Sequence, residues 1–292
     1  MDYMEPLKDA MMEVLKYTIR LCEDNGLRYF AYGGTCLGAV RHKDIIPWDD
    51  DVDLLMPYED YKKLLSLDAA FSGPDYGLFR IETPGYYFPF AKIYDKHTTL
   101  WERYDIPFVI GAFVDIFPLY TTDMEDKAEI DATRKQFLHR VEQFQHANQR
   151  YPLTRFVDNV RHAHLRGLLR NIRRNLTTSK CEAYRQDYEQ FESRMHVPEG
   201  RLLVSYASDR YGVEIFQPEW FADYAEMPFR DIQIRVPIGW DAYLRHVFND
   251  YMQLPPEDKR VSEHRKYYLN LREGLTLDEV RHRLRQGEKC VC

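Results

Sequence analysis

The stretch from Tyr29 to Met56 constrains this chain more than any other. Two apolar runs, Tyr29-Phe30-Ala31-Tyr32 and Val52-Asp53-Leu54-Leu55-Met56, enclose two glycines, a short mixed run and a dense set of aspartates. The first run has the aromatic and apolar character of a strand. Gly33-Gly34 turns it sharply, because glycine permits positive φ and the close approach of another group to the backbone. Thr35 stands where its hydroxyl can accept from a free backbone N–H and cap a short helix over Cys36 to Arg41. Free N–H groups at a helix start are a seat for phosphate, which makes Gly33, Gly34 and Thr35 candidate phosphate-binding residues. Pro47 marks a turn, and a second strand is expected from Asp49 to Leu55.

That second strand carries the chemistry. Successive strand side chains point to opposite faces. Asp49, Asp51 and Asp53 are spaced by two and so share one face, while Val52 and Leu54 point into a core. Three crowded carboxylates repel one another and need cations. Oxygen-rich carboxylate sites suit Mg²⁺, which commonly bridges protein carboxylates and substrate phosphates. A solvated acidic turn is the plainer reading, but apolar strand on both sides is a poor setting for one. An EF-hand loop is excluded, because the twelfth position from Asp49 is Asp60 rather than Glu and the central glycine is missing.

The run Gly33-Gly34-Thr35-Cys36-Leu37-Gly38-Ala39-Val40-Arg41-His42, followed by Pro47-Trp48-Asp49-Asp50-Asp51-Val52-Asp53, resembles the LicD family of phosphotransferases. Fukutin and the fukutin-related protein share that pattern, and the family belongs to the nucleotidyltransferase superfamily. The resemblance implies an α+β fold, a nucleotidyltransferase-like mixed β-sheet flanked by helices. It implies transfer of phosphorylcholine or a similar phospho-alcohol from a CDP-linked donor to a glycan hydroxyl, with release of CMP. Asp49, Asp51 and Asp53 would hold Mg²⁺ or Mn²⁺, and Arg41 would neutralise phosphate or instead pair with an aspartate of the site.

The rest of the chain reads as support. Leu7, Met11, Val14 and Leu21 form an apolar stripe that predicts a helix from Pro6 to Glu23, ended by Asn25-Gly26. Tyr58 to Leu67 reads as a second helix. Strands are expected at Gly77–Glu82, Phe88–Tyr94 and Phe108–Phe117. Lys92 and Asp115 each stand inside an apolar strand, where a charge is costly unless paired or bound. Either they form a buried ion pair, or Asp115 joins the acidic strand as a fourth catalytic carboxylate and Lys92 meets a phosphate. The resemblance favours the second, since similar Ala-Lys-Ile and Val-Asp-Ile-Phe-Pro-Leu segments recur in the family.

From about 123 to 196 long polar helical patterns form an apparent insertion between core segments at about 25–120 and 200–268, within one catalytic domain. A basic helix at Arg161–Arg174 is either a solvated face or a peripheral contact with anionic lipid or a polyanionic acceptor. His162 and His164, two apart on a helix, make a poor metal pair. Near the C-terminus the resemblance resumes with departures at Arg230-Asp231, for the family's Glu-Gly, and Phe248-Asn249, for Tyr-Gly. His264 falls where the family tends to have a histidine and is a candidate phosphate contact as well as a surface residue. Thr276 with Glu279 is a capping-box pattern for a last helix.

Composition bounds the function. The 292 residues are 45% hydrophobic and carry a net charge of -7, which argues against a nucleic-acid partner. Five scattered cysteines have no zinc spacing, and their odd number does not suit a disulfide framework. With no signal-peptide pattern or membrane-length apolar run, the expected compartment is the cytoplasm, with peripheral contact at the inner membrane face as the alternative, where a glycan or lipid-linked glycan precursor would be the acceptor. Two other functions fit the same acidic strand: a nucleotidyltransferase, and a non-catalytic binding module.

Overall fold

The computed structural model describes residues 3–102, 106–148, 180–207, 214–262, 266–288 and 290–291. The basic stretch Arg161–Arg174 and His264 lie outside the described residues.

The first helix, α1 (Met4–Asp24), buries Leu7, Met11, Val14, Leu15 and Leu21 along one face. It ends at Asn25, and Gly26 takes φ +62°. A short strand β1 (Phe30–Ala31) leads into α2 (Gly33–Leu37), which continues as one π-helical turn over Gly38–His42. The helix therefore begins two residues before the expected cap, with Tyr32 at the N-cap position. Strand β2 (Asp53–Pro57) and helix α3 (Tyr58–Leu65) follow. Four more strands come next: β3 (Tyr76–Phe79), β4 (Ala91–Asp95), β5 (Thr99–Trp101) and β6 (Phe113–Thr122). Of these, β5 had no counterpart in the pattern, and the others are shifted by a few residues from the expected spans.

The main sheet is mixed. Its order is β1-β2-β6-β4-β3, extended from the far half of β6 by β7 (Leu202–Ser205) and then β8 (Glu214–Phe216). β2 and β6 run parallel, and the other pairs are antiparallel. Burial on both faces explains the near-continuous apolar run of β6, in which Phe113 to Tyr120 are all buried. α1 lies across β4 and β6, and α3 packs on β2 and β6. The long helices α4 (Lys127–Asn148) and α5 (Cys181–Met195) pack on each other and form a second apolar cluster with Tyr120, Val204 and Tyr206.

The C-terminal part adds a hairpin, β9 (Tyr224–Phe229) and β10 (Ile232–Pro237), then α6 (Trp240–Phe248), strand β11 (Tyr268–Asn270), helix α7 (Leu277–Arg285) and strand β12 (Cys290–Val291). β11 pairs with β5 and β12. The capping box at Thr276 and Glu279 is formed in both directions.

The two departures from the family pattern have local physical roles. Arg230 and Asp231 form the two-residue turn of the β9–β10 hairpin. Arg230 pairs with Glu5, Asp9 and Asp44, and Asp231 pairs with Lys16, so the hairpin tip is fastened to α1. Asn249 ends α6 at φ +57°, a backbone region that favours glycine, the residue the family pattern has there.

Candidate active site

The sharp turn after β1 is built to admit carboxylates. Gly33 has φ +49°, and its N–H donates to the Tyr243 hydroxyl at 2.8 Å. A Cβ on Gly34 would stand 2.5 Å from Asp49 Oδ2, so only glycine leaves room for that carboxylate. The group that approaches this backbone is thus the protein's own acidic loop. Thr35 is buried and does not cap a helix; its hydroxyl accepts from the Asp53 N–H at 2.8 Å. Together with the Tyr32 N–H, which donates to the Asp53 carbonyl, it fixes the first residue of β2.

The strand begins only at Asp53, so Asp49, Asp50 and Asp51 lie in the loop before it rather than on one strand face. The expected alternation fails because the loop is held by other bonds. Lys8, buried in the apolar face of α1, donates to the carbonyls of Ile46 at 3.2 Å and Pro47 at 2.9 Å. Asp50, which the period-two pattern points away from the site, has its Oδ2 bound by the ammonium of Lys266 and, at 2.5 Å, by the Ser262 hydroxyl. Both Asp50 and Lys266 are almost fully buried. Carboxylate oxygens of Asp49, Asp50 and Asp51 all come within 4.8 Å of one another.

Register brings the remaining charges in. Asp53 stands opposite Asp115 on the parallel neighbour β6, and Asp115 stands opposite Lys92 on β4. Lys92 Nζ donates to Asp115 Oδ1 at 2.5 Å, so the ion pair is formed. The same ammonium lies over the rings of Phe113, Phe88 and Phe90, at 3.5, 4.4 and 5.4 Å from their centroids. Lys92 thus pairs with Asp115 and lies among three rings while it lines the cavity described below. Arg41 Nη1 donates to the carbonyls of Tyr251, at 2.5 Å, and Gln253, at 3.4 Å, rather than to an aspartate.

Asp49, Asp51, Asp53, Asp115, Gly33, Gly34, Arg41 and Lys92 line one cavity of about 680 Å³, together with Tyr251, Gln253, Leu254, Pro255, Pro256 and Lys259. Burial pushes the Asp49 carboxyl up to about 8, helped by the charge of Asp51. Burial also raises Asp53 well above the usual carboxylate range, with the charges of Asp51 and Asp115 adding to it. Asp115 is raised to about 7 by burial, against the opposing pull of Lys92. Carboxylates this crowded and dry fit a divalent cation, which would supply the missing positive charge. Oxygens of Asp49, Asp50 and Asp51 lie close enough together to share such an ion.

Residues 26–157 match the family model described as LicD/FKTN/FKRP, nucleotidyltransferase domain, a span that holds the glycine turn, the acidic loop, Lys92 and Asp115. Over that span the chain is similar to this domain family. It is 25% identical to the lipopolysaccharide cholinephosphotransferase LicD of Haemophilus influenzae over 257 residues, 87% of this chain and 92% of that protein. It is 45% identical to the human ribitol 5-phosphate transferase FKRP over 64 residues, which cover 22% of this chain and only 13% of FKRP. Among the described residues no helix is long and apolar enough to cross a membrane.

Sequence reasoning missed Asp50, Lys8 and Lys266 as parts of this site. Lys8 carried a readable signal, a charge inside the apolar stripe of α1. Lys266 carried none, because its partner lies more than two hundred positions away.

Removing Lys266 strands a buried charge. Lys266→Met is expected to lower the urea-unfolding free energy by about 3–5 kcal/mol, and adding Asp50→Asn to recover at least half of it. A loss below about 1 kcal/mol, the size seen for exposed pairs, would contradict the anchoring role.

The acidic cluster also sets a pH dependence. The folded, metal-free protein keeps Asp49 protonated up to about 8, whereas the unfolded chain releases that proton near 3.8. Between those values the folded state binds more protons, so this contribution to stability is complete below the lower value and lost as pH rises through the upper. In EDTA the unfolding temperature should therefore fall from about pH 5 to about pH 8 more steeply in the parent than in Asp49→Asn. Mg²⁺ should offset the fall, because cations bind the deprotonated cluster. Identical pH profiles for the two proteins, unmoved by Mg²⁺, would contradict this electrostatic picture.

Proposed function

We propose that this protein transfers a phospho-alcohol group from a CDP-linked donor to a hydroxyl of a glycan or lipid-linked glycan precursor, releasing CMP. The observation that carries this reading is the convergence of Asp49, Asp51, Asp53 and Asp115 on one cavity with room for a nucleotide diphosphate and an acceptor. The relatives' names support the reaction class, since one is a choline phosphate transferase and another a ribitol 5-phosphate transferase.

Phosphoryl transfer needs positioning and charge neutralisation more than covalent help from the protein. When bound, Mg²⁺ or Mn²⁺ at Asp49, Asp51 and Asp53 would offset the negative charge of the donor's diphosphate. The acceptor oxygen forms a bond to the distal phosphorus, and the bond from that phosphorus to the CMP oxygen breaks. The hydroxyl proton passes to a carboxylate, a role we assign to Asp115, whose raised proton affinity suits a base working near neutrality. Lys92 holds Asp115 in place, and Arg41 holds the Tyr251–Gln253 wall of the cavity. Lys259, another residue of the cavity wall, is the cation we assign to the donor phosphates in place of Lys92.

A donor labelled in its head group tests the reaction. The expected products are CMP and labelled acceptor, with turnover reduced about 10³-fold or more in Asp51→Asn while the fold is kept. Label left in free phospho-alcohol, with cytidylate on the acceptor, would make the protein a nucleotidyltransferase. Full activity in EDTA or in Asp51→Asn would overturn the mechanism.

A further inference from the structure

One part of the cavity wall has no role in the account above. Glu214, at the start of β8, lines the cavity and is 7% exposed, yet its Oε2 has no hydrogen-bond partner. Tyr32, the residue before the glycine turn, lines the same cavity and is 5% exposed, and its hydroxyl also has no partner. Tyr243 connects the two. Its ring stacks on Tyr32 with centroids 6.5 Å apart, and it feels the charge of Glu214. Its own hydroxyl is taken by the Gly33 N–H. A buried polar atom without a partner costs about 1–3 kcal/mol, so such atoms are scarce in folded proteins and need an explanation. Two of them on the wall of one substrate-sized cavity are explained by a ligand that supplies the missing partners.

The chemistry of that ligand follows from the atoms. A carboxylate oxygen wants a hydrogen-bond donor, and a phenol hydroxyl wants a donor or an acceptor. Alcohol hydroxyls meet both needs. A quaternary ammonium can be held by charge and by the rings but offers neither atom a hydrogen bond, so CDP-choline is the control that separates the two cases. Burial alone pushes the Glu214 carboxyl up to about 7, with no nearby aspartate among the causes. Glu214 stands on β8, which joins the sheet through β7 on the far half of β6, whereas the acidic loop precedes β2.

Resting on the phospho-alcohol reading of this cavity, we propose that Glu214 and Tyr32 form a hydroxyl-recognising subsite that binds a polyhydroxylated part of the substrate. That part is either the polyol head group of the donor or the sugar of the acceptor. Both sources present the same chemistry, and the test separates them.

Calorimetry on the full chain with Mg²⁺ would compare the parent with Glu214→Gln and Tyr32→Phe. The probes are CDP, CDP-choline, a CDP-linked linear polyol, and a neutral oligosaccharide added in the presence of CDP. Each variant should weaken one hydroxylated probe about ten-fold, the scale expected when a hydroxyl loses its buried partner. CDP and CDP-choline should bind as they do to the parent. Weakening of the CDP-polyol places the subsite at the donor head group, and weakening of the oligosaccharide places it at the acceptor. Unchanged affinity for both hydroxylated probes, or equal weakening of CDP itself, would overturn the proposal. Failure of the parent to bind CDP would instead overturn the CDP-donor reading, and the oligosaccharide arm would still decide the subsite. Two variants guard against misfolding, since Tyr32→Phe removes only an oxygen that bonds nothing in the protein.

Discussion

The mutual repulsion of carboxylates between Asp49 and Asp115 is the constraint on which the rest of this structure depends. Four acidic side chains are brought to one cavity and kept largely out of water, where charge is expensive. The fold answers with fixed positive partners on its outer side. Lys266 binds one oxygen of Asp50, Lys92 takes one oxygen of Asp115, and Lys8 holds the backbone that carries the loop. With Asp49, Asp51 and Asp53 the site is still short of positive charge. On this account a divalent cation and the diphosphate it accompanies complete it.

The sheet supplies the precision that a flexible acidic loop lacks. Parallel pairing of β2 with β6 sets Asp53 opposite Asp115, and antiparallel pairing of β4 with β6 sets Lys92 opposite Asp115. A one-residue slip in either pair would turn these charges to the other face. The apolar residues beside them, Val52, Leu54, Val114 and Ile116, are fully buried and hold the register. The same packing that stabilises the sheet therefore aims the chemistry.

Much of this was legible in the sequence. The helix at α1, the glycine turn and the acidic stretch were marked by local pattern, and the mixed sheet with helices around it was implied by the resemblance to LicD proteins. Local pattern also marked Lys92 and Asp115, because a charge in an apolar strand stands out. The errors share one physical cause, long-range bonds overriding local rules. Thr35 had the chemistry of a cap, but the Asp53 N–H claimed its hydroxyl. Asp49 to Asp51 had the spacing of a strand face, but Lys266 and Lys8 hold them as a loop. Lys92 was read as either an ion-pair partner or a phosphate ligand, and the pair with Asp115 is formed. Glu214 was readable in principle, as a lone acid in the strand-like run Val213-Glu214-Ile215-Phe216, but only the shared cavity connects it with Tyr32.

The acidic loop, with one oxygen of Asp50 bound by Lys266, is the proposed cation site. The most direct measurement is a crystal structure of the protein with Mn²⁺ and CDP, with manganese located by its anomalous scattering. The account predicts manganese bound by carboxylate oxygens of Asp49, Asp51 and Asp53 and by the diphosphate, with Asp50 still on Lys266. Manganese held by Asp50, or CDP bound with no metal at the acidic loop, would contradict it.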